Sequence, residues 1–225
     1  NAIIKYFEME RLDIRLAAPT GRAAKRMTET CGVEAQTIHR LLEIAGGGLS
    51  ELDNEKRNAS SSLGMHFNRD QDNPLEADVI IVDEMSMVDI NIMNALLKAV
   101  PVGTRLILVG DVDQLPSVGP GNVLKDIIDS GVMSVVTLKE IFRQAQESDI
   151  VMNAHKIVNG EHIDLASKDK DFFFMQRLEY GELQDLVVEL CKTRLPKAYD
   201  YSPIDDIQVL SPTRKGPAGT VELNK

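Results

Sequence analysis

Two adjacent carboxylates, Asp83 and Glu84, close the apolar run Val79-Ile80-Ile81-Val82. Four apolar residues without alternation predict a short strand buried on both faces, as in a parallel sheet. Acids at the carboxyl end of such a strand stand where open α/β sheets bind ligands. One carboxylate there can hold a divalent cation while its neighbour orients and activates water. The same two acids could instead cap the helix that follows, since acids favour helix N-termini. On this stretch alone both readings stand.

Other polar groups occupy comparable places. Arg105 to Val109 (RLILV) predicts a second buried strand, leading into Gly110-Asp111-Val112-Asp113-Gln114-Leu115-Pro116. A helix is predicted between the two strands, over 89–98, with Ile92, Leu96 and Leu97 inward. Strand, helix and strand in this order imply a parallel, doubly wound sheet whose strand ends share one edge. That edge brings Asp111 and Gln114 near the acid pair, where a glutamine can position water or sense a phosphate. A polar turn is the plainer alternative.

Upstream, Asp13 to Ala18 predicts a strand, and Pro19-Thr20-Gly21 a turn with Thr20 as N-cap of a helix starting near Arg22. Arg22, Lys25 and Arg26 put three cations within two turns of that strand's end. Cations and free amides at a helix start can hold phosphates, although a solvated helix face has the same composition. His39, in a short helix predicted over 36–42, has no partner at metal-ligand spacing and reads as a structural or hydrogen-bonding histidine.

The elements that must position these groups fit an ordinary globular chain of 225 residues, 43% hydrophobic. A net charge of −10 argues against general coating of nucleic acid but leaves room for a local basic groove. Cys31 and Cys191 stand far apart, which argues against a disulfide framework or zinc site and for a reducing, cytoplasmic setting. No run has the length of a membrane span and no signal peptide opens the chain. Gly46-Gly47-Gly48 lacks a following Lys-Ser or Lys-Thr, so it is no phosphate-binding P-loop, and about 45–73 predicts a loop or small hairpin insertion. Beyond Val136 a second α/β unit is expected, with helices over 122–129, 148–159 and 182–195 around it and strands over 132–138, 171–176 and 207–210.

Six segments then occur in order: APTGRAAKRM (18–27), TIHRLL (37–42), IIVDEMSMVD (80–89), LVGDVDQLPSVGPG (108–121), LKEIFRQ (138–144) and LSPTRKGPAG (210–219). Together they resemble the RecD/TraA-type DNA helicases of superfamily 1B, the exodeoxyribonuclease V alpha-subunit family. The resemblance implies an α/β fold of the P-loop NTPase (RecA-like) type, with a first motor domain over 1–136 and an incomplete second over 137–225. It also implies ATP and Mg²⁺ as cofactors, and 5′-to-3′ movement on single-stranded DNA that opens duplex junctions in recombination and repair. The parent would work alone or beside other subunits of a helicase–nuclease complex. Asp83 resembles the acid that holds Mg²⁺ through ATP, Glu84 the base that activates water, and Gln114 the γ-phosphate sensor. Arg143 resembles the arginine that reaches the γ-phosphate from the second lobe. Pro19, Thr20, Gly21 and Arg22, with Lys25 and His39, resemble the DNA-contacting segments of the first domain; Ser211, Thr213 and Arg214 resemble one of the second.

One departure stands out. The P-loop pattern GxxGxGK[ST] is absent from the 225 residues. The expectation is a piece of a larger helicase, with the P-loop upstream of Asn1 and later motifs beyond Lys225, that alone binds ATP–Mg²⁺ poorly and does not hydrolyse it. A hydrolysis-dead module for DNA binding or subunit docking is the alternative. A metal nuclease at Asp83 and Glu84 lacks the further convergent carboxylates and lysine such sites use.

Overall fold

The computed structural model describes residues 1–44, 66–138, 147–166 and 170–225, which fall into two compact units, Asn1–Leu138 and Lys139–Lys225. In the first unit the chain runs α1 (Ala2–Met9), β1 (Ile14–Ala18), α2 (Gly21–Cys31), β2 (Ala35–Thr37) and α3 (Ile38–Leu41). After the insertion come β3 (Val79–Val82), α4 (Ile90–Ala99), β4 (Arg105–Leu108) and α5 (Val123–Ser130).

The strands form one sheet in the order β2-β1-β3-β4, with every pairing parallel. Alternate residues of β1 and β3 serve opposite faces, as the two-residue period of a strand requires. Leu16, Val79 and Ile81 pack with Ile4, Phe7 and Met27 of α1 and α2. Ala17, Ile80 and Val82 pack on the other side with Ile38, Leu41, Ile92, Leu96 and Val123 of α3, α4 and α5. All four residues of β3 are buried, which is why that segment has no polar alternation. Burying each such aliphatic side chain contributes about 1.5–3 kcal/mol.

Strand order reverses at β1: the chain steps to β2 on one side and to β3 on the other. In an open parallel sheet the crevice at the carboxyl ends of the two strands flanking such a switch is the ligand position. Thr20–Gly21 leaves β1 there, and Asp83–Glu84 leaves β3.

Some elements differ from the sequence reading. Gln36 and Thr37, expected in a helix, lie in β2, whose register is set by pairing with Leu16, Ala17 and Ala18 of β1. On α4, Leu97 is 52% exposed, and Met93 and Ala99 take its place in the core. The tip of the expected insertion lies outside the described residues, but its base is held by an antiparallel bridge between Ile44 and Phe67 and a 2.8 Å ion pair from Arg69 to Glu43.

The second unit is helical where described. Helix α6 (Asp149–Val158) begins at Ser148, whose Oγ accepts from Val151 N, and Asp171 accepts from the amides of Asp149 and Ile150. Helix α7 (Tyr180–Glu189) continues through a π-turn (Leu190–Arg194) into α8 (Leu195–Tyr199), and α9 (Thr220–Leu223) follows later. The strands expected over 132–138, 171–176 and 207–210 do not form among the described residues. Val136 is 88% exposed and Phe174 47%. A β-rich apolar segment becomes a strand only when a neighbouring backbone takes up its hydrogen bonds, and these segments have no paired neighbour among the described residues. No helix among the described residues is long and apolar enough to cross a membrane.

Candidate functional site

Asp83 leaves β3 in line with β1: its amide donates to Ala17 O at 3.0 Å, while its own Oδ1 accepts from Glu84 N at 2.9 Å. Glu84 then takes φ 56°, ψ 42°, left-handed backbone that costs a residue with a side chain about 1–2 kcal/mol. Strain of this kind is held in place by its surroundings and concentrates at functional positions. The surroundings here are the tight turn Met85–Met87 and the exit of β4. Val109 N donates to Val82 O at 2.8 Å and Met85 N to Val109 O at 3.0 Å, so the pairing of β3 with β4 continues past both strands. A Cβ on Gly110 would come within 2.9 Å of Leu124 Cδ2 and 3.0 Å of Met85 Cβ, so only glycine lets the two exits approach so closely.

This geometry bears on the helix-cap reading of the acid pair. The N-cap of α4 is Asp89, whose Oδ1 accepts from the amides of Asn91 and Ile92 at 2.9 Å. Neither Asp83 nor Glu84 caps that helix. Both line a cleft of about 660 Å³, together with Gln114, Arg26, Asn1 and Met27. The start of α1 and one side of α2 form one wall, and the exits of β3 and β4 form the other. Two acids, an amide and a guanidinium are thus among the groups that line one cleft. Asp111 is not among its lining residues; it closes its own turn, accepting from Asp113 N at 2.9 Å.

Arg26 and Ser86 are additions that sequence reasoning did not single out. Arg26 was legible only as one of three cations on α2; which of them faces the cleft depends on where α1 lies. Ser86, 8% exposed in the turn after the acid pair, carries a buried hydroxyl without a hydrogen-bond partner among the described residues.

No group of three or more His, Cys, Asp or Glu able to hold a metal occurs among the described residues. A cation at Asp83 would therefore take its remaining ligands from water and phosphate oxygens. That is the usual binding mode of Mg²⁺, through one or two carboxylates plus substrate phosphates, and the residues fit it.

The segment expected to touch DNA in the first unit leaves β1 at the same sheet edge. Thr20 Oγ1 accepts from Ala23 N at 3.2 Å and caps α2, so its hydroxyl is committed to the helix. Gly21 and Arg22 are exposed and Pro19 is half-buried. Lys25 is 3.9 Å from Glu29 in an exposed pair that holds neither group firmly. His39 lies in a tilted contact with Phe67, with ring centroids 6.1 Å apart. Burial pushes its pKa down, against the opposing charge of Asp89, so at neutral pH it is an uncharged hydrogen-bonding group.

In the second unit, Ser211 Oγ lies 2.9 Å from Thr213 O and 2.8 Å from Ala218 O; with one proton it donates to one of them at a time. Thr213 and Arg214 are exposed, and their carbonyls accept from Thr220 N and Val221 N at 3.1 Å. Arg143 lies outside the described residues.

The domain is a parallel α/β sheet with acids and a glutamine lining a cleft at its carboxyl edge. Residues 1–173 match the AAA domain family, and the chain belongs to that family. It is 33% identical, over all of its length, to the ATP-dependent RecD2 DNA helicase of Deinococcus radiodurans, and this match covers 27% of that protein. It is 32% identical over 94% of its length to the RecBCD enzyme subunit RecD of Mycolicibacterium smegmatis, covering 40% of that subunit. The chain therefore spans between about a quarter and two fifths of these relatives. A solved Pif1 helicase of Bacteroides in complex with ADP-AlF3 and ssDNA overlays on 84% of the chain and 42% of its own, at 21% identity and a TM-score of 0.38. The kinship expected from the six motifs is borne out by the two RecD relatives.

Proposed function

We propose that this chain is a part of an ATP-dependent DNA helicase that supplies the water-activating half of its nucleotide site and a grip on single-stranded DNA. The observation that carries the reading is the single cleft onto which Asp83, the strained Glu84 and Gln114 all open. Bound ATP with Mg²⁺ supplies the phosphoryl group for transfer to water and a metal that offsets charge on the phosphate oxygens. Asp83 holds the cation. Glu84, which lines the same cleft, accepts a proton from the attacking water. Gln114 orients that water or reads the terminal phosphate through its amide. Arg26 adds positive charge to the lining of the same cleft, where a fixed charge can offset that of the phosphates.

Pro19, Thr20, Gly21, Arg22 and Lys25 would contact the DNA backbone in the first unit, with His39 as a neutral hydrogen-bonding partner. Ser211, Thr213 and Arg214 would do so in the second unit, read as part of a second RecA-like lobe that also supplies Arg143. Contacts of this kind go to phosphates and are insensitive to sequence. Closure of two lobes around each nucleotide would move the strand 5′ to 3′ and open duplex junctions. The kinship with RecD supports work in the cytoplasm, beside further subunits of a recombination and repair complex.

The test is DNA-stimulated ATP turnover and strand separation by the full-length protein and its Asp83→Asn variant. Loss of the cation-holding acid is expected to lower turnover about a hundredfold or more, since metal stabilisation is worth several kcal/mol. An Asp83→Asn protein that turns over ATP normally, or a wild-type protein that degrades DNA with metal alone, would contradict the reading.

A further inference from the structure

Gln114 sits on a loop with little packing of its own. Val112, Leu115 and Val118 are all exposed, so no core contact fixes the segment between β4 and α5. The loop is fastened at two places. At its start, the Asp111 side chain accepts from Asp113 N at 2.9 Å and its carbonyl from Gln114 N at 3.4 Å. At its end, residues 119–121 lie directly on the start of α4. Ile90 N donates to Pro120 O at 3.0 Å, and a Cβ on Gly119 would meet Asp89 Cβ and Cγ at 2.7 Å. Gly121, at φ 94°, would bring a Cβ to 3.3 Å from Ile90 Cβ. Ser117 Oγ lies 3.0 Å from Gly119 O, drawing the intervening chain onto the same point.

The other side of this contact is rigid. Asp89 caps α4 through two amide hydrogen bonds, α4 buries Ile92, Met93, Leu96 and Ala99, and Asp89 lies six residues beyond Asp83 on the chain that carries the acid pair. We infer that the close approach of Gly119 to Asp89 is a positioning device: it fastens the Gln114 loop to the acid pair's own scaffold, so that glutamine and carboxylates keep a fixed separation along one wall of the cleft. Gly119 and Asp89 are positioning residues and need not touch nucleotide or water. The inference rests on the nucleotide-hydrolysis reading above, which gives Gln114 its role. Alanine is too large at residue 119, and the loop must lift away from Asp89 to admit it.

The experiment is a mutant cycle in the full-length protein, read as kcat and KM for DNA-stimulated ATP turnover. Gln114→Ala is expected to lower kcat, and Gly119→Ala to lower kcat by about tenfold or more with KM for ATP little changed, as misplacement of about 1 Å can cost a hundredfold. The double variant should be no slower than Gln114→Ala alone, because both remove one function. Asp89→Gly removes the obstructing side chain while keeping a residue tolerated at helix N-caps, so Gly119→Ala with Asp89→Gly should regain most of the lost turnover. The rescue shows that the loss comes from the Gly119–Asp89 contact, and a merely structural lesion at residue 119 would not give the non-additivity with Gln114→Ala. If Gly119→Ala alone does not fold, the contact is tested in the Asp89→Gly background: Gly119→Ala with Asp89→Gly should turn over ATP as fast as Asp89→Gly alone, and a loss of about tenfold there would overturn the inference.

If Gln114→Ala itself leaves turnover unchanged, the role assigned to Gln114 fails. If Gln114→Ala slows turnover but Gly119→Ala does not, or if the two losses multiply, the positioning inference is overturned and the role of Gln114 survives.

Discussion

The two units of this chain put comparable motif residues on different foundations. In the first, nearly every buried apolar side chain of the described protein packs on the two faces of a parallel sheet; in the second, Leu186 alone is buried among them. Asp83, Glu84 and the loop of Gln114 therefore leave strands whose ends are already fixed, and an energetically unfavourable backbone at Glu84 can be held there. Ser211, Thr213 and Arg214 stand on a turn maintained by its own hydrogen bonds. A two-sided sheet fixes the position of groups it does not itself contain, whereas a turn fixes only its own shape. Chemistry that needs sub-ångström placement belongs on the first kind of foundation.

That contrast can be broken by mutation. Leu96, fully buried on α4, should cost about 2–5 kcal/mol when cut to alanine, the usual range for a core leucine; chemical denaturation gives the value directly. Asp89→Ala removes the cap of α4 and should cost about 1 kcal/mol by the same assay. In the second unit Ile157 is 63% exposed, and Ile157→Ala should change stability by no more than about 0.5 kcal/mol. A loss at Ile157 as large as that at Leu96 would erase the distinction.

The units should also answer differently to acid. His39 in the first unit is held neutral by burial, so its folded pKa lies below the ordinary imidazole value of 6.5. The unfolded chain then binds a proton first, and stability falls as pH drops below 6.5. In the second unit the Ser148 hydroxyl, with the amides of Ile150 and Asp149, holds the Asp171 carboxyl below its ordinary value of 3.8. Its contribution is complete above 3.8 and is lost as pH falls through the lowered value. Unfolding midpoints measured from pH 7 to pH 3 should therefore show the His39 response first, and His39→Gln should remove it.

Much of the first unit was legible because its signals are local. The apolar runs of β1, β3 and β4 have no competing pattern, and Thr20 announces the cap it forms. The three-residue β2 was not legible: Ala35, Gln36 and Thr37 carry no strand signal, and only pairing with β1 makes them one. In the second unit DFFFMQ and IQVL have strand composition without a paired neighbour, so composition alone misled. At the site, the residue types Asp, Glu and Gln at successive strand ends could be read, and their meeting followed from the parallel topology. The left-handed Glu84 and the approach of Gly119 to Asp89 could not, since both arise from contacts between segments distant in sequence. Arg26 faces the cleft only because α1 lies against α2, which no spacing on α2 reveals.

The central claim is that Asp83 and Glu84 form the reactive end of a nucleotide cleft and are no helix cap. It is tested most directly by Glu84→Gln in the full-length protein, with ATP binding measured by calorimetry and turnover measured alongside. Loss of the base with Asp83 intact predicts affinity for ATP within about threefold of wild type and turnover lower by a factor of about 10²–10⁴, the span of general-base effects. Turnover at the wild-type rate, with an unchanged unfolding midpoint, would show that Glu84 takes no part in the chemistry.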